Sequence, residues 1–238
     1  LLLFSLNAKG ICHTKQVYKV NIGAELLGFR KNSNNNGRTL SLVNTQTMRL
    51  KQWISFFRRK VVRIKKDRWD YQYRQGQWEE LNSANELYRV QVATELLKKY
   101  HRRNNILEIG CGEGIFYRHI PPEYYRHYEG VDISEVAIKK INPLPRSTFT
   151  VGDMENFEPG HFPFDTIVLN EVIYYSKDPV KLLERYKPFL AGEGVFLVGM
   201  FQMSKSRKIW DLLHLHFTVL ETITITAAAK EWTYKILK

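Results

Sequence analysis

A few acids and glycines in this chain fall at spacings suited to holding a nucleoside that carries positive charge. The stretch Ile106-Leu107-Glu108-Ile109-Gly110-Cys111-Gly112-Glu113-Gly114 places three glycines at alternate positions behind a short apolar run. With no side chains there, a ligand can lie against bare backbone at the end of a buried strand. Glu108 sets a carboxylate just before the first glycine, where it would repel a pyrophosphate and attract a cation. Asp132 stands 20 residues beyond Gly112. An acid at that distance, ending the next strand, can accept both hydroxyl protons of a ribose, and Ile133 follows it directly. Asn170 and Glu171 close a long apolar run, as a parallel strand does where it meets a ligand crevice. Glu171 is the nearest candidate for a general base, with Tyr174 second.

The wording E-x-G-C-G-x-G resembles the first motif of class I S-adenosylmethionine-dependent methyltransferases, of the type 11/12-like domain. Their cofactor has no phosphate and carries an ammonium and a sulfonium. The resemblance covers roughly residues 70–238. It implies that Glu108 and the loop Gly110, Cys111, Gly112 and Gly114 hold the amino-acid end of S-adenosylmethionine. Asp132 with Ile133 would take the ribose, and Asp153 with Met154 the adenine. Asn170 and Glu171 would face the cofactor, and Tyr174 and Tyr175 the acceptor. Ahead of this body, Tyr73, Arg74 and Trp78 would cap the site. Aromatic faces suit the sulfonium and an arginine suits the methionine carboxylate, although Tyr71 and Trp78 can equally pack the segment on the sheet. The run Asn170-Glu171-Val172-Ile173-Tyr174-Tyr175 resembles nodulation-type small-molecule N-methyltransferases. A nicotinamide-dependent oxidoreductase fits less well, because its third glycine would stand where this chain has Ile115.

These residues need strands and helices in alternation. Strands are expected at Ile106–Ile109, Tyr128–Asp132, Ser147–Val151, Phe164–Asn170 and Val195–Met200. A helix is expected over Glu86–Tyr100 from its stripe of Leu87, Val90, Ala93, Leu96 and Leu97. Ser134 and Asp178 stand as helix caps, the latter before Pro179. The helix after Asp178 is expected to run past Leu190 and break at Gly192-Glu193-Gly194. Lys205–Phe217 reads as a further helix. Thr218–Thr226 alternates with the period of a half-buried strand, and Glu231–Lys238 pairs with it. The pattern is that of a doubly wound α/β domain. The resemblance makes it a Rossmann-like sheet of seven strands, mostly parallel, with a C-terminal antiparallel hairpin.

The 238 residues, 44% of them hydrophobic, suffice for one such domain with extensions. The net charge of +12 is concentrated at one end. Residues 1–70 carry 15 Lys and Arg against 3 Asp and Glu, and the rest of the chain carries 21 of each. A neutral body argues against nucleic acid as partner and for a small-molecule, even glycolipid-like, acceptor. Residues 1–47 are expected to be a poorly structured extension, with a native start at Met48. Residues 48–85 are expected to form a basic amphipathic helix over 49–68 followed by the capping segment, and 86–238 the catalytic domain. The basic helix either docks on the domain or makes peripheral contact with an anionic membrane. A non-catalytic module docked in this way is the remaining alternative. Leu1-Leu2-Leu3-Phe4 is too short for a signal peptide. Two distant cysteines fit a reducing, cytoplasmic setting. His214 and His216 point apart on a helix, so no metal is expected.

Overall fold

The computed structural model describes residues 16–21, 66–100, 105–160, 163–227 and 230–238. The expected start at Met48 and the basic helix up to residue 65 lie outside them.

The strands are β1 (Gln16–Asn21), β2 (Asn105–Ile109), β3 (His127–Asp132), β4 (Ser147–Val151), β5 (Phe164–Asn170), β6 (Leu190–Phe201), β7 (Val219–Ala227) and β8 (Lys230–Leu237). They form one sheet in the order β1-β7-β8-β6-β5-β2-β3-β4. Only β8 runs antiparallel to its neighbours. The seven expected strands are present, and the C-terminal pair forms the expected hairpin. β1 adds an eighth, parallel to the outer edge of β7, inside the stretch read as an unstructured extension. β7 offers it an open row of backbone donors and acceptors, a long-range opportunity that the local sequence does not advertise.

Both faces of the sheet are covered, as parallel strands require. On one face the helix α2 (Ala84–Tyr100) packs Val90, Ala93 and Leu97 against Ile106, Tyr128 and Leu197, together with Phe116 and Tyr117 of α3 (Ile115–Arg118). On the other, α5 (Pro179–Tyr186) and α6 (Ser204–His216) bring Leu182, Leu183, Tyr186, Trp210 and Leu213 onto Leu107, Ile109 and Phe196. Each such aliphatic or aromatic side chain contributes about 1.5–3 kcal/mol when fully buried. The anticipated caps are made. Ser134 Oγ accepts from Ala137 N at the start of α4 (Glu135–Ile138), and Asp178 Oδ1 accepts from Lys181 N at the start of α5.

One boundary differs. α5 stops at Tyr186, a 3-10 turn covers Lys187–Phe189, and β6 already begins at Leu190. The Gly192-Glu193-Gly194 stretch is therefore not a helix stop. It takes up a register shift against β5, where Phe164 faces Leu190 and Thr166 faces Val195.

The strand order reverses between β2 and β5. From β2 the chain steps outward through β3 to β4, and from β5 it steps the other way to β6. In doubly wound sheets the crevice at such a reversal, outside the carboxyl ends of the strands, is where ligands bind. The glycine turn after β2 and the Asn170-Glu171 pair after β5 meet there. No helix among the described residues is long and apolar enough to cross a membrane.

Candidate active site

The glycine turn is shaped by three left-handed residues. Gly110, Gly112 and Gly114 have φ of 71°, 54° and 73°, a region that costs other residues about 1 kcal/mol or more. Neighbours forbid side chains as well. A Cβ on Gly110 would stand 2.4 Å from Val172 Cγ2, and one on Gly112 would stand 2.8 Å from the Tyr73 hydroxyl. Cys111 sits between them with its thiol in the core beside Gly130. Burial raises that thiol well above its ordinary range, so only the backbone of Cys111 lies in the turn.

Asp132 braces the same turn. Its Oδ2 accepts from Gly112 N at 2.9 Å and its Oδ1 from Ser134 N at 2.8 Å. Burial pushes its carboxyl up to about 6 against the pull of those two amides, and the nearby charge of Asp70 adds to the rise.

Glu108 lies deeper, 2% exposed, and Tyr128 donates its hydroxyl to Glu108 Oε2 at 2.6 Å. Burial pushes this carboxyl up to about 8, in spite of the Tyr128 bond and with the charge of Asp132 adding to the rise. At neutral pH it therefore holds a proton until a cation arrives, so the negative charge expected there is conditional on one. The stability consequence has a definite sign. The unfolded chain ionises Glu108 near 4.5 and the folded chain near 8, so the folded state binds the extra proton and stability falls as pH rises between those values. Glu108→Gln is expected to stabilise the ligand-free chain at pH 8 by a few kcal/mol while weakening cofactor capture. Urea denaturation at pH 5 and pH 8 checks this: a variant with no gain at pH 8 relative to pH 5 contradicts it.

A strap of aromatic residues crosses the turn. Helix α1 (Lys66–Arg74) supplies Trp69 and Tyr73, and Trp78 follows in the next turn. Trp69 stacks on Trp78 with centroids 5.4 Å apart and meets the edge of Tyr175 at 5.1 Å. The strap is latched to the ribose corner by Asp70, whose Oδ1 accepts from Ser134 Oγ at 2.6 Å and Val136 N at 3.2 Å. Lys140 Nζ ties the Tyr73 carbonyl to the Glu113 carboxylate. Tyr73 thus stands at the turn, and Trp78 lies 6.1 Å from its ring. Arg74, assigned with them, has an exposed side chain at the end of α1.

At the end of β5 the structure gathers charges that the sequence did not single out. Arg89 of α2 is 4% exposed. Its Nε donates to Glu86 Oε2 at 2.6 Å, and its Nη1 donates to Tyr234 at 2.9 Å and to Asn170 Oδ1 at 3.2 Å. Lys230 Nζ reaches the other Glu86 oxygen at 3.1 Å. Asn170 is thus turned into this network, and Tyr234 also donates to its Oδ1 at 2.9 Å. Glu171 comes next, with φ at 59°. Its Oε2 accepts from the Tyr174 hydroxyl at 2.9 Å, and its Oε1 is buried with no partner in hydrogen-bonding geometry. Burial raises the Glu171 carboxyl, while Arg89, Tyr174 and the Phe201 backbone favour its charged form. Glu86 and Arg89 lie one turn before Val90 and Ala93, on the apolar stripe of α2. Two opposite charges on a buried stripe were the available signal.

Asp153 is exposed, with Oδ1 accepting from Glu155 N at 3.0 Å in a turn after β4. Met154 packs partly buried on the second face of the sheet, and Ile133 is half-buried beside Asp132. Glu108, Asp132, Asp153 and Glu171 thus stand at or just beyond the carboxyl ends of β2, β3, β4 and β5 along one edge of the sheet. His214 lies over Trp210 with centroids 6.4 Å apart. Among the described residues no group of His, Cys, Asp or Glu is arranged to hold a metal ion.

Residues 78–230 match the family model described as a methyltransferase domain. Among curated proteins, malonyl-[acyl-carrier protein] O-methyltransferase 1 of Ilyobacter polytropus is 34% identical over 105 residues, 42% of this chain and 39% of that protein. The human mitochondrial arginine-hydroxylase NDUFAF5 is 29% identical over 96 residues, 40% of this chain and 28% of that protein. These matches span about two fifths or less of the curated relatives' length. Among solved structures, N-methyltransferase NodS from Bradyrhizobium japonicum WM9, in complex with S-adenosyl-L-homocysteine, superposes with a TM-score of 0.58 at 20% identity. The superposition covers 67% of this chain and 90% of NodS. The plantazolicin methyltransferase BpumL, bound to a monoazolic desmethyl analogue and S-adenosyl-L-homocysteine, gives 0.55 at 17% identity over 69% of this chain and 89% of BpumL. At these identities the likeness is one of fold.

Proposed function

The chain belongs to the methyltransferase domain family, and from that premise we propose that it binds S-adenosylmethionine and transfers its methyl group to an N or O atom of a small-molecule acceptor. The observation that carries this reading is the meeting of Glu108, the Gly110–Gly114 turn and Asp132 where the strand order reverses. The donor set suits this cofactor. Left-handed glycines keep the turn free of side chains of its own where Val172 and Tyr73 cross it, and a buried carboxyl suits the ammonium. An acid already aligned by two backbone amides suits a ribose. The resemblance assigns the adenine to Asp153 and Met154.

When bound, S-adenosylmethionine supplies an electrophilic methyl carbon on a sulfonium leaving group. The chain's own part is to hold, orient and shield. The strap of Trp69, Tyr73 and Trp78 excludes water from the turn, and the end of β5 sets the acceptor in place. Positioning of this kind can supply much of the rate acceleration, up to about 7–11 kcal/mol in well-oriented systems. A proton to be removed from the acceptor would pass to Glu171, with Tyr174 fixing that carboxylate through its hydroxyl.

Isothermal titration with S-adenosylmethionine, S-adenosylhomocysteine and NAD tests the reading. Saturable binding of the first two, without NAD binding at the same concentration, is expected. Binding of NAD in preference would return the chain to the oxidoreductase reading.

A further inference from the structure

The end of β5 holds a carboxylate with one oxygen left without a hydrogen-bond donor. Glu171 Oε1 is buried without a hydrogen-bond partner, and an unsatisfied buried oxygen of this kind is costly to keep. The backbone bears a second cost, since Glu171 is one of two non-glycine described residues with positive φ, here 59°. Strain and an open acceptor on one residue beside a candidate site point to a ligand. The neighbouring cation does not fill the role. Arg89 favours the charged form of Glu171, but its Nε donates to Glu86 and its Nη1 to Tyr234 and Asn170. From Glu171 a chain of rings leads outward: Tyr174 bonds Glu171, Tyr175 stands 4.7 Å from Tyr174, and Trp69 stands 5.1 Å from Tyr175. Aromatic faces attract cations.

We infer that the methyl acceptor is an amine, entering as an ammonium that donates a hydrogen bond to Glu171 Oε1, and that carboxylates are rejected there by like charge. This rests on the methyl-transfer reading of the site and narrows it to nitrogen. The proton step balances within the site. The ammonium gives one proton to the Glu171 carboxylate, which becomes a neutral carboxyl, and the nitrogen lone pair is freed. The Tyr174 hydroxyl keeps its own proton and holds Oε2, so the exchange falls to Oε1.

The test uses simple probes on the chain saturated with S-adenosylhomocysteine. Benzylamine and phenylacetate are titrated in turn by calorimetry against the unaltered chain and Glu171→Gln. Benzylamine is expected to bind and phenylacetate not to. Glu171→Gln should weaken benzylamine about tenfold or more while S-adenosylhomocysteine still saturates the variant, which reports that it is folded. Tyr174→Phe should weaken benzylamine less, since it frees Oε2 without removing the charge. The inference is overturned if phenylacetate binds as well as benzylamine, if neither probe binds, or if Glu171→Gln leaves benzylamine affinity within twofold. Failure of S-adenosylhomocysteine itself to bind would remove the methyl-transfer reading and this inference with it. Normal S-adenosylhomocysteine binding with failed probes removes this one alone.

Discussion

Arg89→Met is expected to lower the stability of the chain by about 3–5 kcal/mol, the usual cost of removing one partner from a buried ion pair. Methionine fills much the same length, so the loss is electrostatic. Glu86, 5% exposed, keeps its charge but loses the guanidinium at 2.6 Å. Lys230, partly exposed, remains on the other oxygen at 3.1 Å and keeps the cost from rising further. The contact of the guanidinium over the Trp232 ring, 5.5 Å to its centroid, goes as well. Glu86→Leu combined with Arg89→Met should regain most of the loss, because a buried pair replaced by apolar groups is close to neutral. Urea denaturation of both variants decides it. A single variant within 1 kcal/mol of the unaltered chain would mean that the network does not hold α2 to the end of β5.

The second large effect falls on cofactor capture. Asp132→Asn is expected to weaken S-adenosylmethionine by about a hundredfold to a thousandfold, from the loss of charge-assisted bonds worth about 1.5–3 kcal/mol each. The side chain faces two donors, Gly112 N at 2.9 Å and Ser134 N at 2.8 Å. An amide has one accepting oxygen, so one of those N–H groups must confront an NH2. The turn shifts even before a ribose is considered. Acid should mimic the substitution. With the Asp132 carboxyl at about 6 and Glu108 at about 8, protonation removes first the partner of the ammonium and then that of the ribose. Affinity should therefore rise with pH from 5.5 through 8.5, and Asp132→Asn should flatten the lower part of that rise. Calorimetry across the range checks both. A flat profile for the unaltered chain would show that neither carboxyl titrates on binding.

The parts of this site that could be read from sequence are those whose partners are near in the chain or repeat a period. Three alternate glycines behind an apolar run announce the turn, and Asp132 follows at a spacing set by one helix and one strand. Ser134 and Asp178 betray themselves as caps because a cap works within three residues. The Thr218–Thr226 alternation marks a half-buried strand in the same local way. Arg89 escaped because, apart from Glu86 one turn back, its partners lie far off, Asn170 81 and Tyr234 145 residues away, and the charged pair on the apolar stripe of α2 was the one local sign of its burial. β1 escaped for a related reason, since an edge strand is defined by the neighbour it finds. Gly192 and Gly194 misled because glycine marks an irregularity without saying which. Here it permits a shift of register inside β6 rather than the end of α5.

The strap over the turn has a consequence for how such a molecule can change. Of α1, only Asp70 and Tyr73 are buried, and the family match begins at Trp78, after it. The roof is thus written in a short stretch ahead of the matched body. Its exposed positions, though not the buried Asp70 and Tyr73, can be exchanged with little disturbance to the interior that holds the sheet together. A lineage built this way can try new clients by redrafting about a dozen residues, while the machinery beneath them is inherited intact.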